Sequence, residues 1–537
     1  MSVDCLLLTG VSGTGYDLTA PPPIYTFRRR TTGTYRIATH LRDHGYDTEV
    51  IDFMFAWTLD ELKEIARSRL DKNSKMVGIG SIFDSNSPTL ATFLTWCKET
   101  WPQLLILAGS QDLWHIASLP ADYHITGYGE KGVIAALKGD VEYQEKISVH
   151  GVTNRHVNCH AIEEYQAYPE PTLHVSYEDR DFIEPNESLV METSRGCKFQ
   201  CKYCNFPVLG VKGDYTRDAD NFREDLIRNY DKWGVTNYVL ADETFNDAPS
   251  KITKFANVVQ SLDFETNFGG FVRLDLIASR DGEMEELARM RHNSHMYGIE
   301  STNRPSTKAI GKGMDPQKLL DKALEIKEYF MKNNDFYRGE MSFICGLPYE
   351  TRETLQKTLD WIDNYWKGES HMWYALAIFG ETSEARANLL AGQMEDYGYE
   401  HLQGNQLDEL QSHVNLERFQ YIFDDPNIAD FMKEKIRREL PDFTTPAYRH
   451  HFKTWRNADL DSWTAWAWVQ ENAYAHDRYW DCSPGVFYSD EWHAVGYSRK
   501  DVLQSFRQLG SIVYPDIALR IASIEKYKQS KLNYVAD

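Results

Sequence analysis

The chain has 537 residues, of which 42% are hydrophobic and 26% charged, and this composition excludes a disordered or fibrous protein. The formal net charge of −22 opposes sequence-independent binding to a polyphosphate, so we expect no strong association with a nucleic-acid duplex. The first eight residues lack the features of a secretory signal, and no apolar run approaches the roughly 18 residues of a membrane span. We therefore expect a cytoplasmic protein with no membrane partner.

Strand and helix patterns alternate through the first part of the chain. Strand-like runs lie at residues 5–8, 48–52, 76–80, 104–109 and 124–126. This alternation predicts an α/β, doubly wound, Rossmann-like domain over residues 1–145, followed by a linker over 146–185. In such a sheet the loops after the strands, here 10–25, 81–87 and 109–116, should converge on one crevice.

Three cysteines are crowded within eight positions: Cys197, Cys201 and Cys204. They follow a strand-like run, so we expect them on a loop at the carboxyl end of a strand, where barrels and open sheets carry their chemistry. Three thiolates at this spacing can hold a compact metal centre such as an iron–sulfur cluster. A structural zinc site would want a fourth ligand, and the nearest histidines, His174 and His292, are not close in sequence. A zinc knuckle without its fourth ligand and a non-catalytic cluster are the alternatives.

Six strand-like runs separated by helical patterns extend from residue 189 to residue 378. They predict parallel βα units over residues 186–382. Polar residues follow several of these strands, at the carboxyl edge of the expected sheet: Asp242, Glu243, Arg273, Glu300 and Ser301.

The cysteine spacing, Cys-x3-Cys-x2-Cys with Tyr203 before the last cysteine, resembles the signature of the radical S-adenosylmethionine (SAM) superfamily. The segments 298–301 (Gly-Ile-Glu-Ser) and 346–351 resemble further elements of that family, although Tyr349 stands in place of a usual glycine. The resemblance implies a partial (β/α)6 barrel and a 4Fe–4S cluster held by the three cysteines. It implies SAM contacts from these residues: Tyr203, Asp242, Glu243, Arg273, Glu300, Ser301 and Gly346. It also implies an electron donor such as flavodoxin or ferredoxin, and it assigns no catalytic residue.

The first domain resembles the N-terminal cobalamin-binding domain of one large radical SAM class. The matching phrases lie at residues 41–46, 77–80 and 127–130. This resemblance implies cobalamin as a third cofactor. The Asp-x-His-x-x-Gly element of other cobalamin proteins is absent, and residues 109–112 depart from the usual Gly-Gly-x-His.

Three functions follow from these resemblances. The first is cobalamin-dependent C-methylation, the commonest chemistry of the class. The second is a cobalamin-independent isomerase, cyclase or lyase acting on a modified nucleobase or a small molecule. The third is a non-enzymatic iron–sulfur protein, which the complete cysteine motif argues against.

Residues 383–537 have a mostly helical, aromatic-rich pattern and contain no motif that we can assign. We expect Trp463, Trp466 and Trp468 to pack against the open side of the barrel; the alternative is that some of them stack on a planar substrate. We expect this region to determine substrate specificity. No residue of the sequence identifies the substrate.

Overall fold

The computed structural model describes residues 2–9, 30–80, 88–111, 113, 116–149, 152–168, 171–185, 187–204, 215–334, 337–366, 370–376, 390–393, 395–397, 400–401, 455–457, 460–461 and 524–534. Within these residues, no helix combines the length and the hydropathy that a membrane crossing requires.

A seven-stranded sheet forms the N-terminal part. Its strands are β1 (Cys5–Thr9), β2 (Thr48–Ile51), β3 (Met76–Gly80), β4 (Leu105–Ser110), β5 (Tyr123–Thr126), β6 (Gln144–Val149) and β7 (Val152–Asn158). Its helices are α1 (Thr32–Asp43), α2 (Leu59–Arg69), α3 (Pro88–Thr100) and α4 (Glu130–Lys138). The strand order is β2-β1-β3-β4-β5-β7-β6, and every pair is parallel except β6 with β7. All five residues of β1 are buried, as expected of a strand whose sheet carries helices on both faces. The doubly wound domain is confirmed.

The predicted boundary at residue 145 is wrong, because the first sheet continues into the predicted linker. Strands β6 and β7 form an antiparallel hairpin, and β7 pairs with β5. Both strands are rich in polar residues and therefore lack the apolar run that identified the central strands; β6 forms the edge of the sheet, and β7 lies next to it.

A second sheet forms the partial barrel. Its strands are β8 (Ser188–Met191), β11 (Asn237–Leu240), β12 (Asn267–Val272), β13 (His292–Glu300), β14 (Arg338–Cys345) and β15 (Ser370–Ala375), and a short ribbon of β9 (Ser194–Arg195) and β10 (Tyr215–Thr216) follows β8. The helices are α5 (Ala219–Trp233), α6 (Pro249–Gln260), α7 (Leu274–Ser279), α8 (Glu283–Arg289), α9 (Arg304–Ala309), α10 (Pro316–Asn333) and α11 (Arg352–Tyr365). The six long strands lie side by side in chain order and all pair in parallel. The prediction of six parallel βα units is confirmed.

Most of residues 383–537, including Trp463, Trp466 and Trp468, lies outside the described residues. The described parts include a small antiparallel sheet of β16 (Glu400–His401), β17 (Trp455–Asn457) and β18 (Leu460–Asp461). Residues 524–533 form a helix.

This C-terminal helix packs on the first sheet. Ile524 and Tyr527 are buried in the same hydrophobic cluster as β1 and α3. The ammonium of Lys531 lies 3.0 Å from the carboxylate of Glu49 on β2, and neither side chain is exposed to solvent. The predicted C-terminal domain therefore does not hold all of residues 383–537, because its last helix completes the N-terminal domain.

Candidate active site

The three cysteines lie on a loop that begins directly after β9, at the carboxyl end of β8. All three side chains are half-buried. Burial raises the pKa of the Cys197 thiol, and the Phe199 backbone and the Thr244 side chain oppose that rise. Three cysteines on one short loop fit an iron–sulfur centre. Among the described residues, no three His, Cys, Asp or Glu side chains converge on a single metal ion. A 4Fe–4S cluster does not require three ligands to converge on one ion, because each cysteine binds a different iron atom.

Asp242 holds the start of this loop in place. Its carboxylate accepts hydrogen bonds from the backbone N–H and the hydroxyl of both Thr193 and Ser194, and the side chain is buried. The ammonium of Lys251 lies 3.8 Å away. The carboxylate is therefore used inside the protein, and its contact with SAM stays a prediction.

Arg273 lies against the cysteine loop. Its guanidinium stacks 3.9 Å above the ring of Phe199 and approaches the sulfur of Cys201 at 3.6 Å. Asp275 fixes the other side of the guanidinium at 2.6 Å. Arg273 thus places a positive charge beside the sulfur ligands at the end of β12.

Glu300 joins the end of β13 to the cysteine loop. Its carboxylate accepts a hydrogen bond of 2.5 Å from the hydroxyl of Tyr203 and pairs with the ammonium of Lys312 at 2.8 Å. The backbone of Glu300 has φ +67, and the pairing of β13 with β14 shifts register between Gly298 and Glu300. A left-handed conformation at a buried, non-glycine residue is strained, and such strain is concentrated at functional sites. Tyr203 and Glu300, predicted separately, are therefore in direct contact.

Ser301 and Gly346 are brought together by Glu350. The buried Glu350 carboxyl accepts hydrogen bonds from the Gly346 N–H at 2.7 Å and the Ser301 hydroxyl at 3.1 Å. Burial raises the pKa of Glu350 to about 8. Tyr349, which replaces the usual glycine, adopts φ +63 and is exposed. This contact ties the ends of β13 and β14 into one rigid edge.

A cavity of about 340 Å³ opens between the first sheet and the cysteine loop. It lies at the point where the strand order reverses between β1 and β3, the usual ligand position in doubly wound sheets. The glycines on its walls are Gly33, Gly78, Gly80, Gly109, Gly127 and Gly129. Several cannot be replaced without a clash, since a Cβ on Gly78 would lie 2.7 Å from the Leu7 side chain. We call this cavity the interdomain cleft.

The barrel contributes Glu192, Arg195, Ala241 and Glu243 to the interdomain cleft. Glu243 faces the open space, in contrast to its neighbour Asp242. Desolvation by the surrounding protein raises the pKa of Glu243 to about 7, with a smaller effect from Asp242. Of the two predicted acids, Asp242 therefore holds the loop in place, whereas Glu243 is accessible to a ligand.

Of the three loops that the sequence predicts to converge on one crevice, the structure describes only part of one at the cleft. Residues 109–111 line the interdomain cleft, whereas loops 10–25 and 81–87 fall outside the described residues. The sequence did not identify His160, which lines the cleft from the predicted linker and packs edge-on against Tyr128. Burial, with a smaller effect from Arg195, lowers the pKa of His160 to about 4, so its imidazole is neutral. No sequence signal marks His160.

A cysteine loop at the end of a parallel partial barrel, beside a doubly wound domain, is the arrangement that the sequence resemblance implies. Residues 191–362 match the model of the radical SAM superfamily. This part of the chain is therefore a radical SAM domain, and members of that superfamily use a 4Fe–4S cluster and SAM.

Two curated proteins are similar to parts of the chain. One is an anaerobic magnesium-protoporphyrin IX monomethyl ester cyclase from Synechocystis sp., 23% identical over 300 residues, which are 52% of this chain and 58% of that protein. The other is an uncharacterized methyltransferase from Pyrococcus horikoshii, 24% identical over 172 residues, which are 32% of this chain and 35% of that protein. The chain thus matches less than two thirds of the length of either relative.

Two solved structures resemble the whole fold. The radical SAM methyltransferase TsrM from Kitasatospora setae, solved with cobalamin and a 4Fe–4S cluster, has a TM-score of 0.59 at 12% identity and covers 98% of this chain and 100% of its own. The cobalamin-dependent radical SAM enzyme OxsB has a TM-score of 0.52 at 12% identity, with coverage of 98% and 72%. At this identity the likeness establishes the fold, an N-terminal domain joined to a radical SAM barrel.

Proposed function

We propose that the chain is a cobalamin-dependent radical SAM methyltransferase that methylates an unactivated carbon of a small molecule or a modified base. The observation that carries the proposal is the position of the interdomain cleft. Its walls are the glycine-rich strand ends of the first sheet, and its opposite side is formed by residues adjacent to the cysteine loop. One ligand in this cleft and another at the cysteines would therefore face a common space.

The residues present fit two of the cofactors in different ways. The three half-buried cysteines suit a cluster, and the mostly apolar, glycine-lined walls of the cleft suit a large ring system. When bound, the cluster supplies the electron that splits SAM, and cobalamin supplies a transferable methyl group.

The chain's own residues orient and hold charge around this space. Arg273 sets a cation beside the sulfur of Cys201, where it would attract the SAM carboxylate. The Glu300 carboxylate, fixed by Tyr203 and Lys312, offers a hydrogen-bond acceptor at the end of β13. Glu243 supplies an acceptor inside the interdomain cleft, for a donor group on SAM or on the substrate. An electron donor such as flavodoxin or ferredoxin and a cytoplasmic location complete the proposal.

The test uses the anaerobically reconstituted full chain. Equilibrium dialysis measures whether hydroxocobalamin binds, and product analysis with SAM and a chemical reductant measures 5′-deoxyadenosine and S-adenosylhomocysteine. We expect hydroxocobalamin to bind at micromolar concentrations and S-adenosylhomocysteine to form only when it is present, because only then does SAM lose its methyl group.

Production of 5′-deoxyadenosine without hydroxocobalamin binding and without S-adenosylhomocysteine would refute the methyltransferase assignment. It would favour the direct radical reaction of an isomerase, cyclase or lyase. The variant Cys201→Ala is the control, because it should abolish both products together with the iron.

A further inference from the structure

Arg195 connects the interdomain cleft to the cysteine loop. It stands two positions before Cys197, and its side chain is 2% exposed. Four groups surround the guanidinium: the carboxylates of Glu192 and Glu130, the ring of Tyr128 and the carbonyl of Ala167. Arg195 is thus a buried cation with hydrogen-bond acceptors on its edges and an aromatic ring on its face.

The contacts of Arg195 come from both domains. Its Nε and Nη2 atoms donate to Glu192, each at 2.9 Å, within the barrel domain. The same Nη2 donates at 2.7 Å to Glu130, the first residue of α4 in the N-terminal domain. Glu130 is shared with Arg36 of α1, 3.4 Å away. One guanidinium thus joins the two domains through paired, desolvated charges.

The face of the guanidinium is covered by Tyr128. The guanidinium carbon lies 4.0 Å from the centre of the tyrosine ring, within the range of a cation–π contact. Tyr128 follows β5 and lines the interdomain cleft, as do Glu130, Glu192 and Arg195. A ligand in the cleft would therefore touch the groups that hold Arg195.

The backbone of Arg195 leaves little freedom on the other side. Arg195 pairs with Tyr215 in the β9–β10 ribbon, and the preceding Ser194 is anchored to Asp242. Because the side chain is packed on all sides, a shift of its partners must be absorbed by the short segment that leads to Cys197. Only Gly196 separates Arg195 from Cys197, so the connection between the cleft and the cysteines is short.

We propose that Arg195 is a positioning residue that couples occupancy of the interdomain cleft to the geometry of the cluster loop. This inference rests on the proposed function, which identifies the ligand of the interdomain cleft as cobalamin. Coupling of this kind is reciprocal, so a ligand in the cleft alters the cluster, and the cluster alters the affinity of the cleft by the same factor. If Arg195 only held the two domains together, the cluster would not change the affinity of the cleft for its ligand.

The test measures the dissociation constant of hydroxocobalamin for the full chain before and after cluster reconstitution. The ratio of the two constants is the coupling factor, and we expect about fivefold or more in the wild type, the usual range for coupled sites. Arg195→Lys keeps the charge but loses the paired geometry, and Tyr128→Leu removes the covering ring. Both variants should bring the ratio to within about twofold of one. Tyr128→Phe, which keeps the ring face, is the matched control and should retain the wild-type ratio.

A spectroscopic measurement supports the same test on the reconstituted protein. Hydroxocobalamin should shift the electron paramagnetic resonance g-values of the reduced cluster in the wild type and in Tyr128→Phe, but not in Arg195→Lys or Tyr128→Leu. If Arg195→Lys does not fold, Tyr128→Leu carries the comparison, because Arg195 and its carboxylates remain.

The failures of the two proposals are distinguishable. If the wild type binds no hydroxocobalamin before or after cluster reconstitution, both the cobalamin assignment and the coupling are refuted. If the wild type binds hydroxocobalamin equally well in both states, or if Arg195→Lys keeps the full ratio and g-shift, the coupling role is overturned and the cobalamin assignment stands.

Discussion

The variant Asp242→Asn tests how the start of the cysteine loop is held. Asp242 accepts four hydrogen bonds, two from Thr193 and two from Ser194, and these residues immediately precede the segment that leads to Cys197. The amide oxygen can still accept from both backbone N–H groups, and the amide nitrogen can donate to the two hydroxyls, so the substitution keeps the contacts but removes the charge that strengthens them and that attracts Lys251. Hydrogen bonds to a charged group contribute about 1.5–3 kcal/mol each against about 0.5–1.5 kcal/mol for neutral ones, so the loss of charge across four contacts costs roughly 3 kcal/mol or more.

A cost of about 3 kcal/mol corresponds to a local opening equilibrium raised roughly 100-fold. We expect the amides of residues 193–197 to exchange hydrogen about 100 times faster in Asp242→Asn, as measured by mass spectrometry, and the reconstituted iron content to fall. Glu243→Gln is the matched control, since the neighbouring carboxyl faces the interdomain cleft and receives no comparable set of bonds. Wild-type exchange and full iron content in Asp242→Asn would refute the anchoring role.

Three other outcomes follow from the same geometry. Single replacement of Cys197, Cys201 or Cys204 by Ala should abolish iron binding, whereas Cys5→Ala and Cys345→Ala, both at buried positions outside the loop, should retain the iron on elemental analysis. Tyr203→Phe removes one hydrogen bond to Glu300, which is worth about 1 kcal/mol. The affinity for SAM, measured by anaerobic calorimetry, should therefore fall about fivefold while the iron content is unchanged. An unchanged affinity would show that the Glu300 carboxylate does not contact SAM. Glu350 has its pKa raised to about 8, so the folded state binds more protons than the unfolded chain between about pH 4.5 and 8, and stability must fall as the pH rises through that window. The melting temperature should be higher at pH 6 than at pH 8.5, and Glu350→Gln should reduce this difference; an equal difference in the variant would assign it to other groups.

The sequence predicted both sheets and the cysteine loop because each depends on a local signal. Buried apolar runs such as β1 mark central parallel strands, and the polar residue after each run marks the carboxyl edge. The hairpin of β6 and β7 lacks this signal, because polar residues interrupt the apolar pattern of both strands. It was therefore assigned to a linker.

The candidate site was predicted as a set of residues but not as a set of contacts. Asp242 and Glu243 look equivalent in sequence, yet they lie side by side after a strand end and point in opposite directions, so one is buried and the other faces the cleft. Lys312 reaches Glu300 from the far side of α9, and no spacing rule connects these positions. Partners of this kind become visible only when the chain has folded.

The C-terminal helix shows how a charge pattern can mislead. Its lysines are typical of a solvated surface, yet Lys531 is fully buried and pairs with Glu49 on β2, while the backbone carbonyl of Lys531 accepts a hydrogen bond from Arg69. Removing one member of a buried charge pair typically costs 3–5 kcal/mol, because the other charge stays desolvated. The first sheet therefore depends on residues more than 450 positions away in the chain. Because a fragment ending after β7 would lack this helix, ligand binding in the interdomain cleft has to be measured on the whole chain.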